Sequence, residues 1–294
     1  MATLRDLRRK IKAIQSTKKI TKTMKMVAAA KLRKVQDRML NFRPYAMSME
    51  SVLLDLSKVG ERELHPIFAV RPRKTVEVLV MTSDKGLCGA FNTNILIAAA
   101  KYIESLKKEG FELSISVIGR KSRDFFRRRR FPMRKSWIGL SGRVTYADAQ
   151  EISNDLIENY VNETLDEVIF IYNEFKSLLL QKVSIARLLP IGVIEAEEAP
   201  GEKTSIAVDF LYEPSAEVLF ERLLPKHIEI QVYRALLESS AAEEAARMNA
   251  MERASKNCED LIASVTLQAN KVRQAGITKE LMDIVGGVEA MKVR

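Results

Sequence analysis

The sequence predicts an α/β protein with long terminal helices, in which the N-terminal and C-terminal helices pair as an antiparallel two-helix coiled coil. Apolar residues recur at heptad spacing from residue 4 to residue 56, and a similar pattern returns from residue 251 onwards. Between these regions, strand-like and helix-like segments alternate. The predicted divisions are an N-terminal helix at 1–58, an α/β domain at 59–208 and a C-terminal helix at 209–294.

The N-terminal helix is predicted from a seam of apolar residues in alternating steps of three and four. Thirteen of the sixteen seam positions are apolar, and the exceptions are the consecutive seam positions Lys18, Thr21 and Lys25. A seam of this length needs a partner helix, and the simplest partner is the other terminal helix. Pro44 is expected to interrupt and kink the helix because its ring clashes with the preceding turn.

The central region is predicted to form a largely parallel sheet, because its strands alternate with helices. The strands are expected at 75–83, 111–119, 134–139, 166–175 and 181–191, and the helices at 92–108, 120–130 and 145–163. The last strand alternates polar and apolar residues, which favours an edge position. Gly60, Pro66 and Pro72 indicate a linker at 59–75, and residues 195–208 are expected to form an exposed loop.

The C-terminal helix is predicted over residues 214–291 and carries two apolar seams. The first comprises Met251, Ala254, Cys258, Leu261, Val265, Gln268, Val272 and Ala275, and the second comprises Ile277, Leu281, Ile284, Val288 and Met291. The two seams are offset at Gly276, so the apolar face is expected to rotate there.

The positive charge of the chain is concentrated in its first fifth. The net charge is +10, yet residues 1–58 hold 15 basic against 4 acidic residues, and the remainder holds 33 against 34. The stretch KKITKTMKMVAAAKLRK (18–34) carries seven positive charges and no acid. On a helix, Lys18, Lys22, Lys25 and Arg33 form one stripe that is expected to face acidic groups, carbonyls or solvent.

The composition of this basic stretch bears on whether it contacts a membrane, nucleic acid or protein. The face opposite the charges is too poor in large apolar residues for a membrane-surface helix. DNA binding is possible on charge alone. Met24, Met26 and the run of alanines favour contact with protein, because methionine adapts to irregular surfaces.

Catalytic and metal-binding patterns are scarce in this chain. It holds two cysteines and two histidines, without metal-ligand spacing. The turn SDKGLCGAFN (83–92) could cradle a phosphate, but it matches neither common glycine-rich phosphate motif, and a structural turn with a buried Cys88 is favoured. Asp84 beside Lys85 has no catalytic partner nearby in sequence, and the arginines of 120–131 are expected to form the solvated face of a short helix.

Three segments together resemble the gamma subunit family of rotary F-type ATP synthases over the whole chain. They are IQSTKKITKTMKMVAAAKLRKVQ (14–36), SDKGLCGAFN (83–92) and RMNAMERASKNCEDLIASVTLQANKVRQAGITKELMDIVGGVEAM (247–291). The resemblance implies a Rossmann-like α/β domain beside the coiled coil. It departs from the family where Cys258 replaces a usual alanine and where Gly287 precedes the final VEAM.

The resemblance also implies a function without catalysis by this chain. It would be the central rotor shaft that couples proton flow through the membrane sector to ATP synthesis or hydrolysis on the beta subunits, and that regulates ATPase activity. The implied partners are the alpha and beta subunits of the catalytic ring, the epsilon subunit and the c-subunit ring. No cofactor, nucleic acid or directly bound nucleotide is expected. With no transit peptide recognised, the implied location is the cytoplasmic face of a bacterial inner membrane.

The subunit contacts implied by the resemblance lie on the terminal helices. Met24 and Lys25 correspond to a segment near beta-subunit loops, with Lys18 and Lys22 on the same stripe. Arg273, Gln274 and Thr278 correspond to a segment that hydrogen-bonds a beta-subunit loop. Residues 284–291, among them Ile284, Val285 and Val288, correspond to a tip held in an apolar collar.

Two other functions are compatible with the residues alone. A basic coiled-coil protein that binds nucleic acid would bind DNA with steep salt dependence. An α/β enzyme that binds nucleotide through residues 83–92 would hydrolyse ATP as an isolated chain.

Overall fold

Along the described chain, a long helix comes first, five strands and three shorter helices follow, and a second long helix comes last. The computed structural model describes residues 3–59, 67, 71–140, 142–191 and 216–292. The helices are α1 (Leu4–Val59), α2 (Phe91–Lys108), α3 (Arg120–Arg128), α4 (Tyr146–Val161) and α5 (Ala216–Lys292); the strands are β1 (Thr75–Met81), β2 (Glu112–Ile118), β3 (Lys135–Trp137), β4 (Glu167–Phe175) and β5 (Gln181–Leu189). Every predicted helix and strand is confirmed, with ends that differ by a few residues.

The chain divides into two compact units, and each of the two terminal helices contributes one part to each unit. One unit contains residues 1–28 and 248–294, and the other contains residues 29–247. The three-part division at 1–58, 59–208 and 209–294 follows the order of the chain and stays a prediction. The predicted loop at 195–208 and most of the predicted linker at 59–75 lie outside the described residues.

The larger unit is built on one five-stranded sheet in the order β3-β2-β1-β4-β5. Its pairs are parallel except for β4 and β5, which pair antiparallel and leave β5 at the edge. The predictions of a largely parallel sheet and of a final edge strand are therefore confirmed. The pattern arises because β1, β2 and β3 are followed by helices, whereas β4 returns through a short hairpin.

The central strands are buried on both faces, which explains their continuous apolar sequences. Val76, Val78 and Val80 of β1 pack with α2 and α3 on one face. Leu79 and Met81 lie in a second core with α4, α1 and α5 on the other face. A tight turn joins β2 to α3 at Gly119, where φ is +95° and a Cβ atom would lie 2.2 Å from the carbonyl oxygen of Thr82. Only glycine fits this approach.

The smaller unit is an antiparallel pair formed by the start of α1 and the end of α5. Leu7 packs with Val265 and Ala269, and the partly buried residues Leu4, Ile11, Ile14 and Val272 extend this cluster. Every predicted seam position of α1 from residue 4 to residue 53 is buried or half-buried, so the heptad prediction is confirmed.

Two details of the predicted helices are wrong. Pro44 does not interrupt α1, which continues through it as one helix, and the predicted kink stays a prediction. In α5, Leu261, Gln268 and Ala275 are exposed, whereas Ile262 and Ala269 face inward together with Cys258, Val265 and Val272. From Cys258 onwards, the inward positions of α5 are separated by four residues and then three. The predicted seam took the step of three residues first, and therefore named Leu261 and Gln268 where Ile262 and Ala269 face inward.

Candidate subunit-contact surfaces

The lysines in the α1 seam are tied to carboxylates on α5. Lys18 Nζ lies 2.9 Å from Glu259 Oε1, and Lys25 Nζ lies 2.7 Å from Glu252 Oε1. As the residue number rises by seven on α1 it falls by seven on α5, which fixes the antiparallel register. Lys18 and Lys25 therefore face acidic groups of the same chain. This is one of the three environments that the sequence left open, the others being carbonyl groups and solvent.

The residues between these two ion pairs differ in exposure. Thr21 is buried, and its hydroxyl donates to the carbonyl oxygen of Lys18 at 3.0 Å. Met24 is half-buried and Lys22 is exposed. Ile20, Met26 and Val27 are exposed apolar side chains on the same stretch. The stretch thus presents cations and apolar side chains together on its outer surface.

Glu259 is held ionised by the basic stretch. A hydrogen bond from Lys18, aided by the charges of Lys18, Lys22 and Lys256, lowers the pKa of its carboxyl. Glu259 and Glu252 are functional partners that the seam analysis missed. Their signal was available, because an antiparallel register that pairs the two seams puts acidic residues of α5 beside the seam lysines of α1.

The last part of α5 has no packing partner among the described residues. Every residue from Arg273 to Val288 is exposed. Thr278 donates its hydroxyl hydrogen to the backbone carbonyl oxygen of Gln274 at 3.0 Å. The side chains of Arg273 and Gln274 are exposed and have no hydrogen-bond partner in the described part of the chain. These polar groups are available to an external partner.

Apolar side chains are concentrated on this same segment. Ile284 is 64 % exposed, and Ile277, Leu281, Met282, Val285 and Val288 are exposed as well. Six large apolar side chains within twelve residues form a patch of the kind that marks an interaction site. We name Ile277–Val288 the α5 tip.

The turn at 83–92 has a structural function in the larger unit. Asn92 donates to the sulfur of Cys88 at 3.1 Å, and the backbone N–H of Ser83 donates to Asn92 Oδ1 at 3.0 Å. Cys88 and Phe91 pack against Ala242 of α5. Burial raises the pKa of the Cys88 thiol. The predicted buried thiol in a tight turn is confirmed.

Asp84, the strongest catalytic candidate, is committed to backbone amides. Its two carboxylate oxygens accept hydrogen bonds from the N–H groups of Arg120 and Gly139, at 3.1 Å and 3.0 Å. It therefore satisfies the first turn of α3 and the loop after β3. In α3, Phe126 is fully buried and Arg127 to Arg130 are exposed, so the predicted solvated arginine face is confirmed.

A buried ion cluster on α5 was not predicted. Arg247 lies 2.5 Å from Glu243 and 2.8 Å from Glu244, and Lys31 of α1 lies 3.6 Å from Glu244. Burial opposes the charge of Arg247, but the two carboxylates outweigh it and raise its pKa. The cluster joins α1 to α5 within the larger unit.

The described residues offer neither a metal site nor a membrane span. They contain no group of three metal-ligating side chains placed to hold an ion. No helix described there is long and apolar enough to cross a membrane.

Comparison with known proteins assigns the family. Residues 3–291 match the family described as ATP synthase. The ATP synthase gamma chain of Anaeromyxobacter sp. (strain Fw109-5) is 46% identical over 295 residues, which cover 99% of this chain and 100% of the relative. That of Syntrophus aciditrophicus (strain SB) is 44% identical over 292 residues and 99% of both chains.

Solved structures agree with these relatives. A chain from the central stalk and c-ring of the Tetrahymena thermophila mitochondrial ATP synthase has a TM-score of 0.58 and 29% identity, over 80% of this chain and 99% of that one. A chain from the OSCP/F1/c-ring structure of the Euglena gracilis enzyme has a TM-score of 0.65 at 22% identity, over 98% and 94%, and shares the fold. The predicted fold class is confirmed, and none of the comparisons supports nucleic-acid binding. The chain belongs to the ATP synthase gamma-chain family.

Proposed function

We propose that the chain is the central rotor shaft of a proton-driven ATP synthase. It couples proton flow through the membrane sector to ATP synthesis or hydrolysis in a surrounding ring of alpha and beta subunits. Its further partners are the epsilon subunit and the c-subunit ring, and its location is the cytoplasmic face of a bacterial inner membrane. In this arrangement the beta subunits carry out catalysis, and the chain regulates their ATPase activity through its rotation.

The observation that carries this proposal is the exposed end of α5. The helix continues from Arg273 to Val288 without packing against described residues, and it carries an apolar tip preceded by unpaired polar side chains. An exposed apolar patch of this size requires an enclosing partner. The tip residues Ile284, Val285 and Val288 then contact an apolar collar of the ring, and Arg273, Gln274 and Thr278 bond to a beta-subunit loop.

The basic stretch of α1 supplies a second contact surface with a different chemistry. Lys22 and Met24 face the ring together with the exposed apolar residues Ile20, Met26 and Val27. Lys18 and Lys25 are already paired to Glu259 and Glu252, so each adds a partly neutralised charge to that surface. A surface of small, flexible and partly neutralised groups allows contact without one deep energy minimum during rotation.

A non-catalytic function is supported by the state of the candidate reactive groups. Both oxygens of Asp84 accept backbone hydrogen bonds, and the thiol of Cys88 is buried with a raised pKa. The backbone amides engage Asp84, and the raised pKa of the Cys88 thiol keeps that group from acting as a nucleophile at neutral pH.

The test is to reconstitute the complex with a bead attached to the α/β domain of this chain. We expect ATP to drive unidirectional rotation of the bead, and we expect proton pumping in vesicles to require the chain. The isolated chain should hydrolyse no ATP. A stationary bead on an actively hydrolysing complex, or proton pumping that persists without the chain, would overturn the proposal.

A further inference from the structure

We propose that a cavity between α2 and α3 binds a phosphate-class anion, either a free phosphate species or the phosphomonoester head group of a lipid. The cavity has a volume of about 510 Å³ and lies beside the turn that follows β1. Its walls are formed by the turn Gly86–Gly89, the first residues of α2, and one side of α3. A volume of this size suits a small ligand.

The side chains that line the cavity carry more positive than negative charge. Lys121, Arg128 and Arg129 line it, and within the described part of the chain none of the three lies within ion-pair distance of a carboxylate. Asp124 also lines the cavity, but Arg123 donates to its Oδ1 at 3.0 Å and 3.2 Å. Hydrogen bonds from Arg123, aided by the charges of Arg127 and Arg128, lower the pKa of Asp124. Three cations therefore face the cavity against one carboxylate, which is already hydrogen-bonded to Arg123.

Arg129 is held in place before any ligand arrives, and Lys121 lies beside the turn. The Arg129 guanidinium stacks on the ring of Phe125, with its Cζ 3.8 Å from the ring centroid. The Lys121 side chain lies close to the turn, with its Nζ 3.9 Å from the position that a Cβ atom on Gly86 would occupy. A fixed guanidinium loses less conformational freedom when it binds an anion.

The turn adds neutral donors to the same cavity. Leu87 and Gly89, which both line the cavity, adopt left-handed backbone conformations with φ angles of 64° and 57°. No acceptor in the described part of the chain receives the N–H groups of Gly86, Leu87 or Gly89. Backbone amides in such a left-handed arrangement form concave anion sites.

The combination of donors selects the class of ligand. Two guanidinium groups and an ammonium group match the several oxygens and the double negative charge of a phosphate group better than a single carboxylate. The expected ligand is therefore compact and at least doubly charged. The site is separate from the proposed rotor contacts on α1 and α5, so its failure would leave the rotor proposal standing.

The experiment measures pyrophosphate binding to the full chain by titration calorimetry. Arg128→Ala with Arg129→Ala should weaken binding by roughly tenfold or more, because losing one charge-assisted hydrogen bond already changes a binding constant by about tenfold. The matched control is Arg120→Ala with Arg130→Ala, which removes the same charge from exposed positions at the two ends of α3 outside the cavity. The control should keep binding within about threefold of the wild type, as expected for long-range charge effects alone.

Vesicle cosedimentation separates the two sources of phosphate. Binding to phosphatidate vesicles that is lost in the Arg128 and Arg129 variant would assign a lipid head group, whereas pyrophosphate binding alone would assign a free phosphate species. The proposal is overturned if pyrophosphate does not bind, or if the two double variants weaken binding equally. Thermal unfolding of the control variant should match the wild type because its replaced side chains are exposed, and the Arg128 and Arg129 variant should lose only the small contribution of the Arg129 stacking on Phe125.

Discussion

Single side chains set the register of the paired helices in the smaller unit. A lysine at a coiled-coil seam position lowers stability compared with an apolar residue, but it specifies which residues lie opposite. Lys18 and Lys25 both face a carboxylate only when Glu259 and Glu252 lie opposite them, because a shift of one heptad would separate both pairs and leave one of the two lysines without an acidic partner. The polar interruption of the seam therefore selects one alignment of α1 with α5.

The Lys25–Glu252 pair permits a direct test of this register. Lys25→Glu should lower the free energy of unfolding of the isolated chain by about 1 kcal/mol, because an exposed ion pair is replaced by two like charges. Adding Glu252→Lys should restore stability. The measurement is urea unfolding at low salt, and the effect should shrink in 1 M salt.

The control for this prediction is Lys19→Glu, which makes the same charge change at an exposed position of α1. It should have a smaller effect, and Glu252→Lys should not compensate for it. Equal losses in both single variants, or no recovery in the charge-swapped pair, would contradict the proposed register.

Whole helices were predictable from sequence where one face alone is buried. The seam of α1 could be read because polar residues surround it and only one stripe faces inward. The segment of α5 from residue 227 to residue 247 is different, since nearly all of its residues are buried or half-buried. It contains Glu243, Glu244 and Arg247, and burial of such residues depends on partners supplied by the fold. No periodicity in the sequence indicates which side of this segment is covered.

The same reason limits how much of the candidate sites was predictable. The basic stretch follows from a pattern local to one helix, whereas the tip was expected only from the resemblance to the gamma subunit family, because the local pattern predicted a second apolar seam there. The ion pairs to Glu252 and Glu259 required the relative alignment of two helices, and the cavity between α2 and α3 required their packing on the sheet. The arginines of α3 were correctly placed on a solvated face, but their convergence with the turn at Gly86–Gly89 was not visible along the chain.

The packing of α5 against the turn at 83–92 leads to an element-level prediction. Ala242 is fully buried against Cys88 and Phe91, so this crossing requires a small side chain. Ala242→Leu should lower the free energy of unfolding by roughly 1–3 kcal/mol, because the added atoms push the helix from the turn. Denaturant unfolding of the full chain measures this change.

The matched variant is Ala263→Leu, which adds the same atoms at an exposed position of α5. It should change stability by no more than about 0.5 kcal/mol. A similar loss at both positions would mean that the leucine acts through the helix itself and not through the contact with the turn.

At the scale of the whole molecule, the residues that stabilise the fold differ from those that we propose to contact other subunits. The two apolar cores of the larger unit lie on the two faces of the sheet. The α5 tip is exposed throughout, so its apolar side chains add little to the folding of the isolated chain. We propose that this segment contacts other subunits, and changes to it should then affect the complex without unfolding the chain.

This separation is tested by Ile284→Asp combined with Val288→Asp. The isolated chain should unfold within about 0.5 kcal/mol of the wild type, because both side chains are exposed. In the reconstituted complex, each carboxylate would enter an apolar partner surface at a cost of several kcal/mol. ATP-driven proton pumping should therefore fall by at least about tenfold.

Ile97→Asp, at an exposed position of α2, is the control and should leave pumping unchanged. Normal pumping by the tip variant would remove the tip from the subunit interface, and an equal loss in the control would show that added charge alone disturbs the complex.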